Sequence, residues 1–415
     1  MFLSIEKRQK MHRGNKDEHL RSTPIKGSNQ ITVGSFNERL VLHLVRRYGT
    51  LTKAEATRAT GLSPNAASMI FKALETDNLL LRCDPIRGRV GQPSVPMRIN
   101  PAARHYLGLK IGRRSFDMVV IDFSGNVVAR RQGQHDYPTL ESTIDFVKSA
   151  MRPLLRSAKI YKDDISGLGV AMPWELWHWT KELGVPSDVM DEWRNVDIGA
   201  ELTQVFSGPI SVENDGTAAC RAELVFGAHN KLEDFIYLFV GTFIGGGVVL
   251  NGGVFTGSRG NSGGFGPLRI TDEPGGQRLV DHASLIVLER QLDDAKRKIV
   301  QDESSDWDAL EPLLSQWISR VARSLAQAIV SSLAVIDFEA AVIDGAFPKS
   351  VRSRIIAQLC EELGRQDLQG VLRPEILEGQ FGDVSRALGA AAFRIASEFM
   401  IDQNTLMRES PGIAS

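Results

Sequence analysis

Twice along this chain, two short apolar runs meet at a turn built on glycine. Residues 107–111 and 116–122 flank Gly112-Arg113-Arg114. Residues 235–240 and 247–250 flank the run from Gly241 through Thr242, Phe243 and Ile244 to Gly245-Gly246-Gly247. Apolar runs of this length, bounded by turn residues, read as strands. The repeated strand–turn–strand start predicts a mixed α/β body of two lobes around a cleft. Further strands are expected over 127–130 (after the turn Ser124-Gly125-Asn126), 167–171, 210–212 and 342–344, with helices over 140–158 and 383–400.

The first turn carries the sharpest chemical signal. A loop that grips nucleotide phosphates needs small residues, so that backbone N–H groups can approach the anion, and an acidic group to hold the metal. Here Lys110 stands where the carboxylate is wanted, and Arg113 and Arg114 fill the turn. A scaffold that keeps this shape but loses the loop is suited to sensing a small molecule rather than phosphorylating one.

At 415 residues the chain is expected to hold two to three domains. Charge divides it. Residues 1–105 carry 18 Lys and Arg against 8 Asp and Glu, leaving 31 against 42 in the remainder. A basic front on an acidic body points to nucleic acid as a partner of the front. Cys83, Cys220 and Cys360 are too scattered for a disulfide framework or a metal cluster, which fits a reducing cytoplasm. No apolar run approaches the roughly 20 residues that span a bilayer, and the opening Met1-Phe-Leu-Ser-Ile is too short for a signal peptide.

In the front part, Phe36, Leu40, Val41, Leu44, Val45 and Tyr48 recur at helical steps before Gly49. Thr52 caps a short helix to about Ala59, Gly61-Leu62 turns the chain, and Ser63-Pro64 starts a second helix to about Thr76. Asn65, Ser68 and Lys72 fall opposite its apolar stripe of Ala67, Ile70, Phe71 and Leu74. Short or flexible donors of that kind read base edges and phosphates in a major groove. A strand over 79–82, a loop with Arg87, Gly88, Arg89, Gly91, Gln92 and Pro93, and a returning strand over 95–99 complete a winged helix-turn-helix. The DNA-contacting set is expected to be Lys53, Ser63, Asn65, Ser68, Lys72, Arg87, Arg89 and Gln92.

From residue 35 onward the chain resembles the ROK family of repressors and sugar kinases, on its winged-helix regulator branch. The matching pieces are Gly61-Leu-Ser63, Gly91-Gln-Pro-Ser94, 108–115, Gly169-Val-Ala-Met-Pro173, 212–219, 241–247, 251–264 and Ala387-Leu-Gly-Ala-Ala391. The resemblance implies an actin-like, hexokinase-type body with a sugar site in the cleft, in a dimer or tetramer. The domains it implies are a flexible basic arm (1–34), the winged head (35–102), a first lobe (103–230), a second lobe (231–382), a helix packing back on the first lobe (383–400) and a tail (401–415).

The resemblance also implies that Asn214 and Asp215 hold a sugar hydroxyl, with Asp215 at the vestigial position of a catalytic base. The family's Glu and His sugar contacts are replaced by Gly264 and Pro267 in the run from Gly263, and Val280 stands at a further acidic contact. The family's cysteine-rich zinc segment corresponds to Pro274-Gly-Gly-Gln-Arg278, which has no Cys, so neither zinc nor another cofactor is expected. Trp174 and Glu175, in the tryptophan-rich run 173–179, supply an aromatic face and a hydroxyl partner. The predicted ligand set is therefore Asn214, Asp215, Trp174, Glu175, Gly263 and Gly264. The expected function is a cytoplasmic, sugar-responsive repressor of carbohydrate genes on a palindromic operator, without kinase activity. The alternatives are an ATP-dependent sugar kinase and a dimeric DNA-binding protein that needs no ligand.

Overall fold

The computed structural model describes residues 30–86, 94–229, 231–270 and 277–401. The chain divides after Asn100 into two compact units.

In the smaller unit, helix α1 (Gln30–Tyr48) is followed by β1 (Thr50–Leu51), α2 (Lys53–Thr60), α3 (Pro64–Thr76), β2 (Leu80–Arg82) and β3 (Met97–Ile99). The strands form one antiparallel sheet in the order β1-β3-β2. Val41, Val45, Ala56, Phe71, Leu74 and Leu80 form its buried core. Most of the expected flexible arm (1–34) lies outside the described residues, and its last stretch, 30–34, belongs to α1. Elongating a helix adds one backbone hydrogen bond per residue fixed, which carries it through Gly34 despite a cost of about 1 kcal/mol there.

The larger unit repeats one topology twice. Its first sheet is built from β4 (His105–Ile111), β5 (Ser115–Asp122), β6 (Val127–Gln134), then, after α4 (Leu140–Ala158), β7 (Ile165–Met172). Past α5 (Thr180–Leu183) and α6 (Ile198–Leu202) comes β8 (Ile210–Asn214). Helix α7 (Asp215–Phe226) leads to the second sheet, with β9 (Phe235–Val240), β10 (Ile244–Leu250) and β11 (Gly253–Phe255). After α8 (Leu285–Glu289), α9 (Asp294–Val300) and α10 (Leu313–Leu333) follow β12 (Ala340–Gly345), α11 (Lys349–Leu363), β13 (Glu375–Glu378) and α12 (Ser385–Phe399). The strand orders are β6-β5-β4-β7-β8 and β11-β10-β9-β12-β13. In each sheet three antiparallel strands lead into two parallel ones. One core packs α4 on the first sheet, and another packs α10 and α11 on the second.

Three glycines let α12 close over the first lobe. A Cβ on Gly108 of β4 would lie 1.9 Å from the Ala387 carbonyl oxygen, and one on Gly169 of β7 would lie 1.8 Å from that of Ala390. On Gly389 of α12 it would lie 1.7 Å from the Ala218 oxygen of α7. No side chain fits at any of the three, so backbones meet directly along this seam.

The second glycine turn is shorter than its sequence suggests. Gly245, Gly246 and Gly247 pair with Phe239, Leu238 and Tyr237 inside β10, leaving only Gly241-Thr242-Phe243 as the turn. Close packing accounts for two of these glycines: a Cβ on Gly247 would meet Cys220 of α7 at 2.4 Å, and one on Gly246 the Tyr237 carbonyl oxygen at 1.9 Å. The Gly245 position alone has open space around it.

Candidate functional site

In the smaller unit, capping fixes the angle at which α3 is presented. Thr52 Oγ1 accepts from the Glu55 N–H (3.2 Å), and Glu55 Oε2 accepts from the Thr52 N–H (2.8 Å), a reciprocal box that starts α2. Gly61, at φ +71°, ends α2, and its N–H donates to the Thr57 carbonyl. Ser63 Oγ accepts from the Ala66 N–H (3.2 Å), so this hydroxyl is engaged in starting α3 while remaining at the surface.

Beyond Ser63, Asn65 and Lys72 are exposed, Ser68 is half-buried, and Lys53 is exposed at the start of α2. Met69, absent from the predicted set, is 73 % exposed. It falls four residues after Asn65 on the same exposed face of α3. The signal was available: an apolar residue lying outside the inward stripe of a short helix. Arg87, Arg89 and Gln92 lie outside the described residues.

In the larger unit the two sheets flank a cleft of about 370 Å³. Asp215 opens α7 at its wall, one residue after Asn214. Asn214 Oδ1 accepts from the Gly216 and Thr217 N–H groups (2.9 and 3.1 Å), leaving only its amide NH2 to meet a ligand. Trp174, Glu175 and Gly264 also line the cleft. Gly263 does not. At φ +81° it lies behind the wall, where a Cβ would come within 2.5 Å of the Gly247 Cα. Trp174 is 40 % exposed, Glu175 binds His178 Nδ1 at 2.7 Å, and Trp177 turns away into the first-lobe core.

Lys110 is only 4 % exposed, and its Nζ donates to Ser115 Oγ at 2.6 Å. A Cβ on Gly112 would lie 2.4 Å from that ammonium nitrogen, so the lysine is folded tightly against the β4–β5 turn. Burial, seconded by Arg386, pulls the Lys110 pKa down to about 8, against the pull of Asp383, Asp117 and Asp215. Burial opposes ionisation of Asp383 too, but Arg386, Lys110 and Arg130 outweigh it and hold that carboxyl at about 2.

The two arginines of the turn reach the second lobe. Arg114 pairs with Glu289 of α8. The Arg113 guanidinium sits 4.8 Å from the ring centroid of Phe243, in the β9–β10 turn, and 5.9 Å from that of Trp179. The Trp179 and Phe243 rings are themselves 5.2 Å apart. Arg278 adds a further tie to Glu182 (3.3 Å), and its guanidinium lies 5.7 Å from the Trp179 ring centroid.

Trp179, Phe243 and Asn261 are cleft residues that sequence reasoning missed. So are Gln132 and Gln134, whose two-residue spacing on β6 places both on one face of the sheet. Where the family resemblance implied an acidic sugar contact, Val280 is buried and its N–H donates to the Gly266 carbonyl (3.0 Å). Gly264, Pro267 and Val280 have no side-chain donor for a metal, and among the described residues no group of three or more His, Cys, Asp or Glu could hold one. Of the run expected to stand in for the zinc segment, 274–276 lie outside the described residues.

Two five-stranded sheets of identical order, joined by α7 and α12 and enclosing a polar cleft, define an actin-like ATPase-type body in the larger unit. The ROK family model matches residues 106–396, and the chain belongs to the ROK family. The xylose repressor of Bacillus spizizenii is 23 % identical over 243 residues, 59 % of this chain and 62 % of the repressor, so the chain spans under two thirds of that protein's length. A ROK family transcriptional regulator, homologous to the E. coli MLC protein, superposes with a TM-score of 0.62 at 19 % identity, covering 88 % of this chain and 96 % of its own. A ROK family glucokinase from Streptomyces griseus, in complex with glucose and AMPPNP, gives 0.53 at 19 % identity, over 70 % and 98 %. The fold is thus shared with both regulators and kinases. Among the described residues no helix is long and apolar enough to cross a membrane.

Proposed function

We propose that this protein is a transcriptional repressor whose winged head binds DNA and whose cleft binds a sugar or related polyol that changes that binding, without phosphorylating it. The observation that carries the reading is the β4–β5 turn. A phosphate-gripping turn must leave its backbone N–H groups open to the anion. This one is packed by Lys110 and tied to the other lobe through Arg113 and Arg114. Phosphoryl transfer rests on metal and phosphate positioning, and a filled turn supplies neither. The exposed donors on α3 and the basic front supply what DNA binding needs.

The rest of the cleft suits a neutral polyol. Asp215 and the Asn214 amide can accept from and donate to hydroxyls, while Trp174 and Trp179 offer flat apolar faces to ring C–H groups. Two heads on a homo-oligomer would read a palindromic operator. The ligand acts by binding one arrangement of the lobes more tightly than another, a coupling typically worth about 5- to 150-fold in affinity.

The test is to select an operator from random duplexes with full-length protein. Its binding is then titrated by fluorescence anisotropy across pentoses, hexoses and sugar alcohols. One class should shift DNA affinity by about fivefold or more. If none does, the sensing part of the reading fails. ATP turnover with magnesium and a sugar that disappears in Asp215→Asn would instead establish a kinase.

A further inference from the structure

A second concavity lies on the outer side of the first lobe, away from the ligand cleft. It runs between α4 and the segments 160–162 and 204–205, and its volume is about 890 Å³. Of its twelve lining residues five are cations, Lys148, Arg152, Arg156, Lys159 and Lys162, and none is a carboxylate. This concentration occurs on a body whose overall balance, residues 106–415, is 31 Lys and Arg against 42 Asp and Glu.

Lys148, Arg152 and Arg156 recur every four residues along α4, so like charges stack on one face. Such pairs disfavour a helix by about 0.2–0.5 kcal/mol each. All five cations are exposed, and among the described residues none has a carboxylate partner. Lys159 holds the left-handed C-cap of α4 at φ +57°, a place that favours glycine. Between the charges runs an apolar floor of Val147, Met151, Leu155, Ile160 and Val205. Tyr161 stands at its edge, 81 % exposed.

We propose that this groove docks an acidic, amphipathic helical segment of another protein. The charge row from Lys148 to Lys159 extends about 16 Å along α4, three turns of helix. A partner helix with carboxylates at every fourth position would pair with it and lay its apolar stripe between α4 and Tyr161. The floor favours protein over nucleic acid, because a phosphate backbone has no use for methionine, leucine and valine beneath its contacts. The inference is independent of the ligand cleft and of kinase activity.

The experiment uses full-length protein and a fluorescein-labelled helical peptide of about 15 residues, with Glu at every fourth position and Leu on the adjacent face. A scrambled peptide of the same composition, polyglutamate of equal charge and a DNA duplex serve as comparators. The amphipathic peptide should bind saturably and more tightly than the scramble. Arg152→Glu/Arg156→Glu should weaken it about tenfold or more, and Tyr161→Ser should weaken it while leaving polyglutamate unaffected. Equal binding of scramble and polyglutamate, no saturable peptide binding, or unchanged binding in the charge-reversed variant each overturns the proposal. A loss confined to duplex binding in that variant overturns it in favour of nucleic acid.

Discussion

Replacing Lys110 by methionine tests the reading of the first turn most directly. The lysine is almost fully buried, and its pKa falls from an ordinary 10.5 to about 8. Below pH 8 folded and unfolded chains both carry the proton, and the native state bears the whole cost of burying the charge. Between about pH 8 and 10.5 the unfolded chain keeps a proton that the native chain has released, so stability climbs with pH. At 1.36 kcal/mol per unit the climb is about 3 kcal/mol.

Methionine has similar length, no charge and an adaptable shape. Lys110→Met should therefore be more stable than the parent at pH 7 by about 2 kcal/mol, allowing about 1 kcal/mol for the lost hydrogen bond to Ser115. That advantage should shrink toward zero and then reverse by pH 10. Urea denaturation followed by tryptophan fluorescence suits the measurement, since all six tryptophans lie between residues 174 and 317, within the larger unit. A stability difference that stays constant from pH 7 to 10 refutes a buried ammonium at this position.

Other outcomes follow from the same geometry. Arg114→Ala leaves Glu289, whose side chain is 7 % exposed, without its partner; it should cost about 2 kcal/mol, with a coupling above about 1 kcal/mol in a double-mutant cycle with Glu289→Ala. A coupling below about 0.5 kcal/mol would mark the pair as an ordinary surface contact. Gly389→Ala should destabilise by more than about 3 kcal/mol or yield insoluble protein, whereas Gly245→Ala, with open space about it, should leave the melting temperature unchanged and alter ligand response. In the head, Lys72→Ala should weaken all duplexes and reduce the salt slope by about 0.9, whereas Asn65→Ala should relax preference at individual bases, as read by selection from random duplexes.

Most strands were legible as runs of apolar residues between turn signals, whereas the short β1, β11 and β13 were passed over; α4 was legible because its heptad-like spacing and Thr139 cap are local. The helices α10 and α11 were passed over, although buried Leu314, Trp317, Ile318, Val321 and Leu325 follow a helical stripe. The glycines at 245–247 misled. A glycine run reads as a loop in sequence, but here the demand for small residues comes at Gly247 from Cys220 of α7 and at Gly246 from the Tyr237 carbonyl of β9, contacts no local window contains. Asp215 and Trp174, both expected in the ligand site, do line the cleft. The partner of each turn arginine was not, because Glu289 and Phe243 are more than a hundred residues away. Gly263 illustrates the same limit: adjacent to a lining residue in sequence, it faces the opposite way.

The glycine seam has a consequence for biogenesis. The first lobe's central strands are made near residue 105, yet the helix that covers them ends at Phe399. Until α12 leaves the ribosome, the faces of β4 and β7 around Gly108 and Gly169 have no native cover. Loop closure over nearly three hundred residues is slow relative to local hairpins. The emerging chain therefore carries a half-clad sheet throughout synthesis of its second lobe, and shielding that sheet falls to chaperones or to the translation rate.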